Sequence, residues 1–460
     1  MYIEGGILSE LSNKLSDNFR CIFSDDLLKL KAKSVGFLKR ASKFSPTAFL
    51  DTLLFAASQT EFCSLGQSST RVQDYNGVSI SKQGVDSRFN EKSVEFVKSV
   101  FKDCLENEVN KVITPNFFSA FSRVLIKDAT RFIIPDKLAD YFRGMGSSNG
   151  KCKAAVAIQY EYDIKNGKTT DLEVTESVRC DLIDAKETRF DVRPNDLIIR
   201  DLGYFSLAIL AEFNRIKAFF LSRLNVKCHV FEDEKGSPIS FKETYKYMIK
   251  NKIPLLEINV FAGMKEKLPV RMVVQLVSDD VYEKRIRKIE KQNKTDGYKT
   301  SDDYKARCRL NIFITNVNPK DLAKEDVYAA YKIRWQIELM FKHWKSTCKI
   351  HNFQPMKYER FACLLYAKLI LIVLNLQLIR NFQSYYFTER KKLLSEDKCF
   401  KTLTKWFERL LRIIKKESTE SVNEILKIAE LFSREHWKEK RIDRVNYFEI
   451  ISLFSCISDN

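Results

Sequence analysis

None of the eleven cysteines in this chain forms a C-x-x-C pair, and their odd count leaves no closed disulfide framework. The expectation is reduced thiols in a cytoplasmic protein. Histidine is scarcer still, and His229, His343, His351 and His436 offer no zinc-ligand set with those cysteines. The start, MYIEGGILSELSNKL, has no basic stretch leading into an apolar one, so no secretory signal is expected. Long apolar runs are missing too. The most apolar segment, LLYAKLILIVLNLQLI (364–379), is interrupted by Lys368 and is shorter than the roughly 20 residues a membrane span needs. A buried helix and no membrane partner are the expectation. Internal repeats and low-complexity linkers are also absent.

Positive charge and aromatic side chains are plentiful. The chain carries 78 Lys+Arg against 60 Asp+Glu, a formal charge of +18, with 34 Phe and 18 Tyr. The aromatics exclude wholesale disorder, and the basic excess favours a polyanion, nucleic acid ahead of a membrane surface. The 460 residues suffice for several domains and a substantial core.

Composition shifts divide the chain. Residues 1–115 read as helical. Ser45-Pro46 opens SPTAFLDTLLFAAS as a capped helix. In the following SSTRVQDYNGVSISKQGVDSR, a helix ends near Tyr75 and Asn76-Gly77 makes a turn. Ser79 or Ser81 then caps a second helix through Arg88. That pattern fits a DNA-reading helix-turn-helix and an ordinary helical hairpin equally well. Residues 116–225 change to mixed α/β character. RVLIKD (123–128) reads as a short strand ending in a carboxylate. AAVAIQYEYDI and TTDLEVTESV form a hairpin across Asn166-Gly167, and LIIRD ends a further strand at Asp201. AFFLSRL (218–224) is another strand. Residues 226–310 read as a separate β-rich insertion that runs into the basic segment KRIRKIEKQNKTDGYKT. Residues 311–350 return to core character with the strand NIFITNV and a helix, and 351–460 are helical.

The helix at 331–346, YKIRWQIELMFKHWKS, is unusual. Wound as one continuous helix, it puts Tyr331, Arg334, Glu338 and Lys345 within roughly 60° of one another. Ile333, Ile337, Met340, Phe341 and Trp344 form the apolar stripe beside them. A solvated charge face normally lies opposite the core; this polar line borders it. Asp128 and Asp201, each ending a strand, and Glu338 on the helix can converge at one sheet edge. Three carboxylates at one place repel one another unless cations hold them, and hard oxygen donors select Mg²⁺ or Mn²⁺. Two such ions form the usual clamp for in-line displacement at phosphorus. Asp136, Asp191 and Asp196 are nearby competitors, and an Asp after a strand is also a common turn former.

The order VLIKDAT, LIIRDLGYF, then Tyr331-x2-Arg334-x3-Glu338-x6-Lys345 resembles the DDE transposases of bacterial insertion sequences. The group concerned is the one whose signature is Y-x2-R-x3-E-x6-K. The flanking IIPDKLADYFRG, FFLSRL, KRIRK and FITN are also similar, so the resemblance is clearest over 120–350 and looser at both ends. It implies an RNase H-like α/β catalytic core interrupted by a β-rich insertion, with helical N-terminal and C-terminal regions. The implied activity is cut-and-paste transposition with Mg²⁺ or Mn²⁺, two ions, as cofactor. The implied partners are double-stranded DNA and a second copy of the chain, in a bacterial cytoplasm at the nucleoid. By the same resemblance Asp128, Asp201 and Glu338 match the catalytic, metal-holding trio, and Tyr331, Arg334 and Lys345 match positions that grip DNA phosphate. Arg223 matches a basic DNA-contact position. One departure is Asn311. Members that pass through a DNA hairpin can stack a flipped base on a Trp there, and Asn has no π-face; Phe313 or another aromatic of the insertion is left as a substitute. Two other classes stay open: a DNA-binding regulator that no longer cuts, and a metal-dependent nuclease that cannot join strands.

Overall fold

The computed structural model describes residues 6–439 apart from 41, 60, 111, 113, 147–151, 298–299 and 416–417. The last part of the C-terminal region, 440–460, and the first five residues lie outside the described residues.

The N-terminal region is helical: α1 (Ile7–Phe23), α2 (Asp25–Ser34), α3 (Pro46–Ser58), α4 (Leu65–Asn76), α5 (Lys82–Asp86) and α6 (Glu91–Glu106). Ser45 caps α3 by accepting from the Ala48 amide, with Pro46 in the first turn, as its sequence requires. Gly77 ends α4 in the left-handed conformation, at φ 64°. Ser81 caps α5, which is only five residues long. It therefore does not run to Arg88, and so short a helix offers little over one turn to a groove.

The sheet follows from alternation and turn chemistry. Its strands are β1 (Arg123–Ile133), β2 (Ala155–Asp163), β3 (Lys168–Glu176), β4 (Asp196–Arg200), β5 (Phe219–Arg223), β6 (Val230–Phe231), β7 (Leu255–Ala262), β8 (Leu268–Leu276) and β9 (Leu310–Thr315). They form one sheet in the order β3-β2-β1-β4-β5-β9-β8-β7-β6. The β1–β4 and β4–β5 pairs are parallel, and β1–β2 and β2–β3 are antiparallel. That mixed arrangement is the expected RNase H-like core. Gly167, at φ 71°, makes the β2–β3 turn, where a Cβ would come within 2.7 Å of Val112.

Two expectations need correction here. Strand β1 does not end at Asp128 but runs five residues further, because β2 pairs with it as far as Ile133↔Ala155. Asp128 instead marks where the other ladder stops, since β4 pairs with β1 only up to Lys127↔Arg200. The insertion, moreover, is not set apart from the core. Its β8 pairs with β9 and its β7 with β8, extending the same sheet. It also carries helices α9 (Phe241–Lys250), α10 (Asp279–Asp296) and α11 (Asp302–Cys308). The basic KRIRK segment lies on α10, with Lys284, Arg287 and Lys288 exposed.

Helices α7 (Asp181–Thr188) and α8 (Leu207–Arg215) connect the core strands, and α12 (Lys324–Lys332) and α13 (Trp335–Ser346) follow β9. The long α14 (Tyr358–Arg390) precedes α15 (Glu396–Lys405), α16 (Phe407–Lys415) and α17 (Ser418–Glu435). Helix α14 has the length and apolarity to cross a membrane, yet 94% of its most apolar window is buried inside the protein. Lys368, the charge in that run, donates to the Lys349 carbonyl at 2.7 Å. Helices α3 and α6 pack on α14, so N-terminal and C-terminal helices share one core with Val124, Ile126, Leu197 and Ile199 of the sheet. The opposite sheet face, with Ile198, Phe220 and Ile312, packs on α8 and the insertion.

Candidate active site

Period-two alternation decides where the strand carboxylates face. On β1, Val124 and Ile126 point into the large helical core, so Asp128 shares their side. On β4, Leu197 and Ile199 do the same, and Asp201 is next in that series. The register Ile126↔Ile199 sets the two aspartates side by side just past the end of the parallel ladder. The reverse face is held by buried ion pairs. Lys127 meets Asp171 and Asp184, each at 2.7 Å, and Arg200 meets Glu161 at 2.7 Å. These contacts tie β1, β2, β3, β4 and α7 together behind the aspartates.

Helix α13 supplies the third carboxylate. Ile337, Met340, Phe341 and Trp344 are buried, and Trp344 packs edge-on against Tyr160 at 5.5 Å between ring centroids. Tyr160 is the ladder partner of Asp128. The indole thus anchors α13 over the strand pair, and Glu338 reaches the aspartates from about 9 Å further up the helix axis.

Residues 331–346 are not one helix, contrary to the continuous winding expected. The ladder tightens between α12 and α13, where Ile333, Arg334, Gln336 and Ile337 all donate to the carbonyl three residues back. The joint coincides with Arg334, a residue only 7% exposed. Its Nη1 donates to Asp128 Oδ2 at 3.0 Å, and its Nη2 donates to Glu338 Oε1 at 2.6 Å and lies 3.5 Å from Asp201 Oδ1. One cation therefore touches all three carboxylates. Helical spacing gave the Arg334–Glu338 pair; the two strand contacts had no signal in the sequence.

Burial pushes the Asp128 carboxyl up to about 6, opposed by the Ala129 amide and Arg334 and reinforced by Asp201 and Glu338. Tyr331 is buried beside Arg334, its ring 5.9 Å from the guanidinium carbon and 5.3 Å from Phe313, and burial raises its phenol. Lys345 donates to the Arg131 carbonyl at 2.9 Å, and desolvation lowers its ammonium. Arg223 closes β5, on the far side of β4 from β1, near enough to Tyr331 and Arg285 to influence both. It stands on the Tyr331 flank of the trio rather than within it.

The competing aspartates are elsewhere. Asp196 begins β4 at the strand's opposite end and is paired with Arg123 at 2.5 Å. Asp136 opens a short 3₁₀ turn, exposed and opposite Lys153, and Asp191 is exposed on the approach to β4. Asn311 is occupied as well: its Oδ1 accepts from Arg285 at 2.6 Å, and its amide donates to Gln275 at 3.3 Å. Phe313 is 2% exposed, so it has no free face for a base.

An open cleft begins at Asp128 and Glu338. Its wall carries Lys342, Lys345, Lys349 and His351. The sequence did not single out Lys342 or Lys349; Lys342 shares the α13 face three residues before Lys345, whereas Lys349 lies past the helix end at φ 48° and carries no helical signal. Three carboxylates aimed at a single positive group are a hard-oxygen donor set suited to a divalent ion. As they stand, no three His, Cys, Asp or Glu side chains among the described residues are placed to hold a metal. The guanidinium lies between them.

Residues 119–376 match the family model described as the transposase DDE domain. The transposase for insertion sequence element IS231B of Bacillus thuringiensis subsp. berliner is 27% identical over 94% of this chain and 95% of its own length. That for IS231F of Bacillus thuringiensis subsp. israelensis is 29% identical over 93% and 92%. That for IS1151 of Clostridium perfringens is 26% identical over 95% and 96%.

Proposed function

The chain belongs to the DDE transposases, and from that premise we propose that it binds the terminal inverted repeats of an insertion sequence and moves the element by DNA cleavage and strand transfer. The observation that carries this reading is the meeting of Asp128, Asp201 and Glu338 at one cationic centre. These three would hold Mg²⁺ or Mn²⁺, two ions, which supply an activated nucleophile and stabilise the departing oxygen at phosphorus. Lys345, with Lys342 and Lys349 beside it, lines the cleft leading to the trio and suits the DNA backbone. Arg334 offers a planar fork for a phosphate, and Tyr331 braces it from beneath. Arg223 extends the basic surface on the other flank.

Burial supports the roles as well. A carboxyl such as Asp128, largely removed from water, releases its proton more readily when positive charge is brought to it. The net charge of +18 favours long-range attraction of duplex DNA. Joining two element ends in one event calls for a second copy, so we assign a homodimer on DNA, acting in the bacterial cytoplasm.

The test is cleavage of a labelled duplex carrying the element's own end, with Mg²⁺ or with EDTA, beside Asp128→Ala. The expected result is metal-dependent nicking at the element boundary, reduced at least ~10³-fold in the variant. Tight binding without nicking in either Mg²⁺ or Mn²⁺ would replace this reading with that of a DNA-binding regulator.

A further inference from the structure

Arg334 is spent on the carboxylates rather than offered to solvent. Its two terminal nitrogens account for all three contacts, it is 7% exposed, and its Nε has no partner among the described residues. The carboxylates it occupies are the donor set that would hold a divalent ion. A divalent ion brought to the same three carboxylates at contact distance would be repelled by the buried guanidinium. Its backbone sits at the tightened joint between α12 and α13, where the regular ladder is already interrupted. The adjoining cleft carries lysines that draw in phosphate, and a guanidinium fork binds phosphate as well as it binds carboxylate.

Building on the functional reading above, we propose that Arg334 is the resident counter-ion of the trio in the DNA-free protein. It excludes divalent metal until an oxyanion takes its guanidinium away. Metal loading and phosphate binding are then linked, each easing the other.

The test is Mn²⁺ affinity of the DNA-free protein, read from the electron paramagnetic resonance signal of free Mn²⁺. Arg334→Gln should bind Mn²⁺ at least tenfold more tightly than the wild type, and adding Glu338→Gln should abolish that gain. Sodium sulfate stands in for phosphate because it engages guanidinium. At matched ionic strength against chloride, it should tighten Mn²⁺ binding to the wild type and leave Arg334→Gln unmoved. Should Arg334→Gln not fold, Arg334→Lys replaces it: an ammonium lacks the fork and should also tighten Mn²⁺ binding several-fold.

Equal Mn²⁺ affinity in the wild type and the folded variant would overturn the proposal, and sulfate acting no differently from chloride would overturn the release by oxyanion. Either result can stand while Asp128→Ala still abolishes cutting, in which case only the counter-ion role falls. Cutting that survives Asp128→Ala removes the functional reading itself.

Discussion

Glu338 makes the shortest of the three contacts to Arg334, at 2.6 Å, and nearly half of its side chain faces the cleft. Replacing its carboxylate by an amide keeps the shape and a hydrogen-bond acceptor while removing one negative charge. Glu338→Gln should therefore lower cutting of an end-bearing duplex by at least ~10³-fold while leaving duplex affinity within about twofold. Gel-shift and nicking assays on one preparation check both halves, and surviving cleavage would remove Glu338 from the trio. Residue identity at this site was legible because Tyr331, Arg334, Glu338 and Lys345 stand at fixed spacings along one short stretch. What Arg334 touches was not legible. Its partner Asp128 lies 206 positions away, and a pairing of that range leaves no local pattern in a single sequence.

Elements were read well where one face is buried and turns carry their own chemistry. The β2–β3 hairpin, the cap of α3 and the buried α14 all follow from alternation, Asn-Gly, Ser-Pro and apolar content. The reading went astray where neighbours decide. Strand β1 is long because β2 continues beside it, and the 331–346 helix is jointed where a buried guanidinium turns toward the sheet. The anchor of α13 is testable. Trp344 is fully buried between Tyr160 and Phe341, and its indole N–H has no hydrogen-bond partner among the described residues. Trp344→Ala should cost ~3–5 kcal/mol of stability, measured by urea unfolding. Trp344→Phe keeps the packing and removes an unpaired donor, so its cost should be less than half as large. Equal losses would show that α13 is held by something other than that aromatic stack.

For the whole molecule, one sheet and one shared helical core unite regions that composition alone had divided. Residues 226–310 differ in character from their flanks, yet β7 and β8 carry on the sheet that bears Asp128. Hydrogen bonds across strand edges cannot be read from composition, which is why the insertion looked detached. The charge balance acts at this scale too. With a formal +18, duplex binding should weaken linearly in log–log plots against salt. A footprint of 6–10 phosphates would lose roughly 10³–10⁵ in affinity between about 50 and 200 mM salt. Lys345→Ala should make that slope shallower by about 1, and an unchanged slope would take Lys345 off the phosphate path.

The distance along the chain between the strand aspartates and Arg334 also sets a clock. A ribosome adding ~5–20 residues per second takes about 10–40 s to go from Asp128 to Arg334, 206 positions later. Throughout that interval the nascent chain can lay down β1, β2 and β4 while lacking the helix that completes the trio. It also lacks α14, on which the N-terminal α3 and α6 pack. A growing polypeptide thus lacks the assembled trio until most of it has been made, and a product that stops before Glu338 carries only two of the three carboxylates.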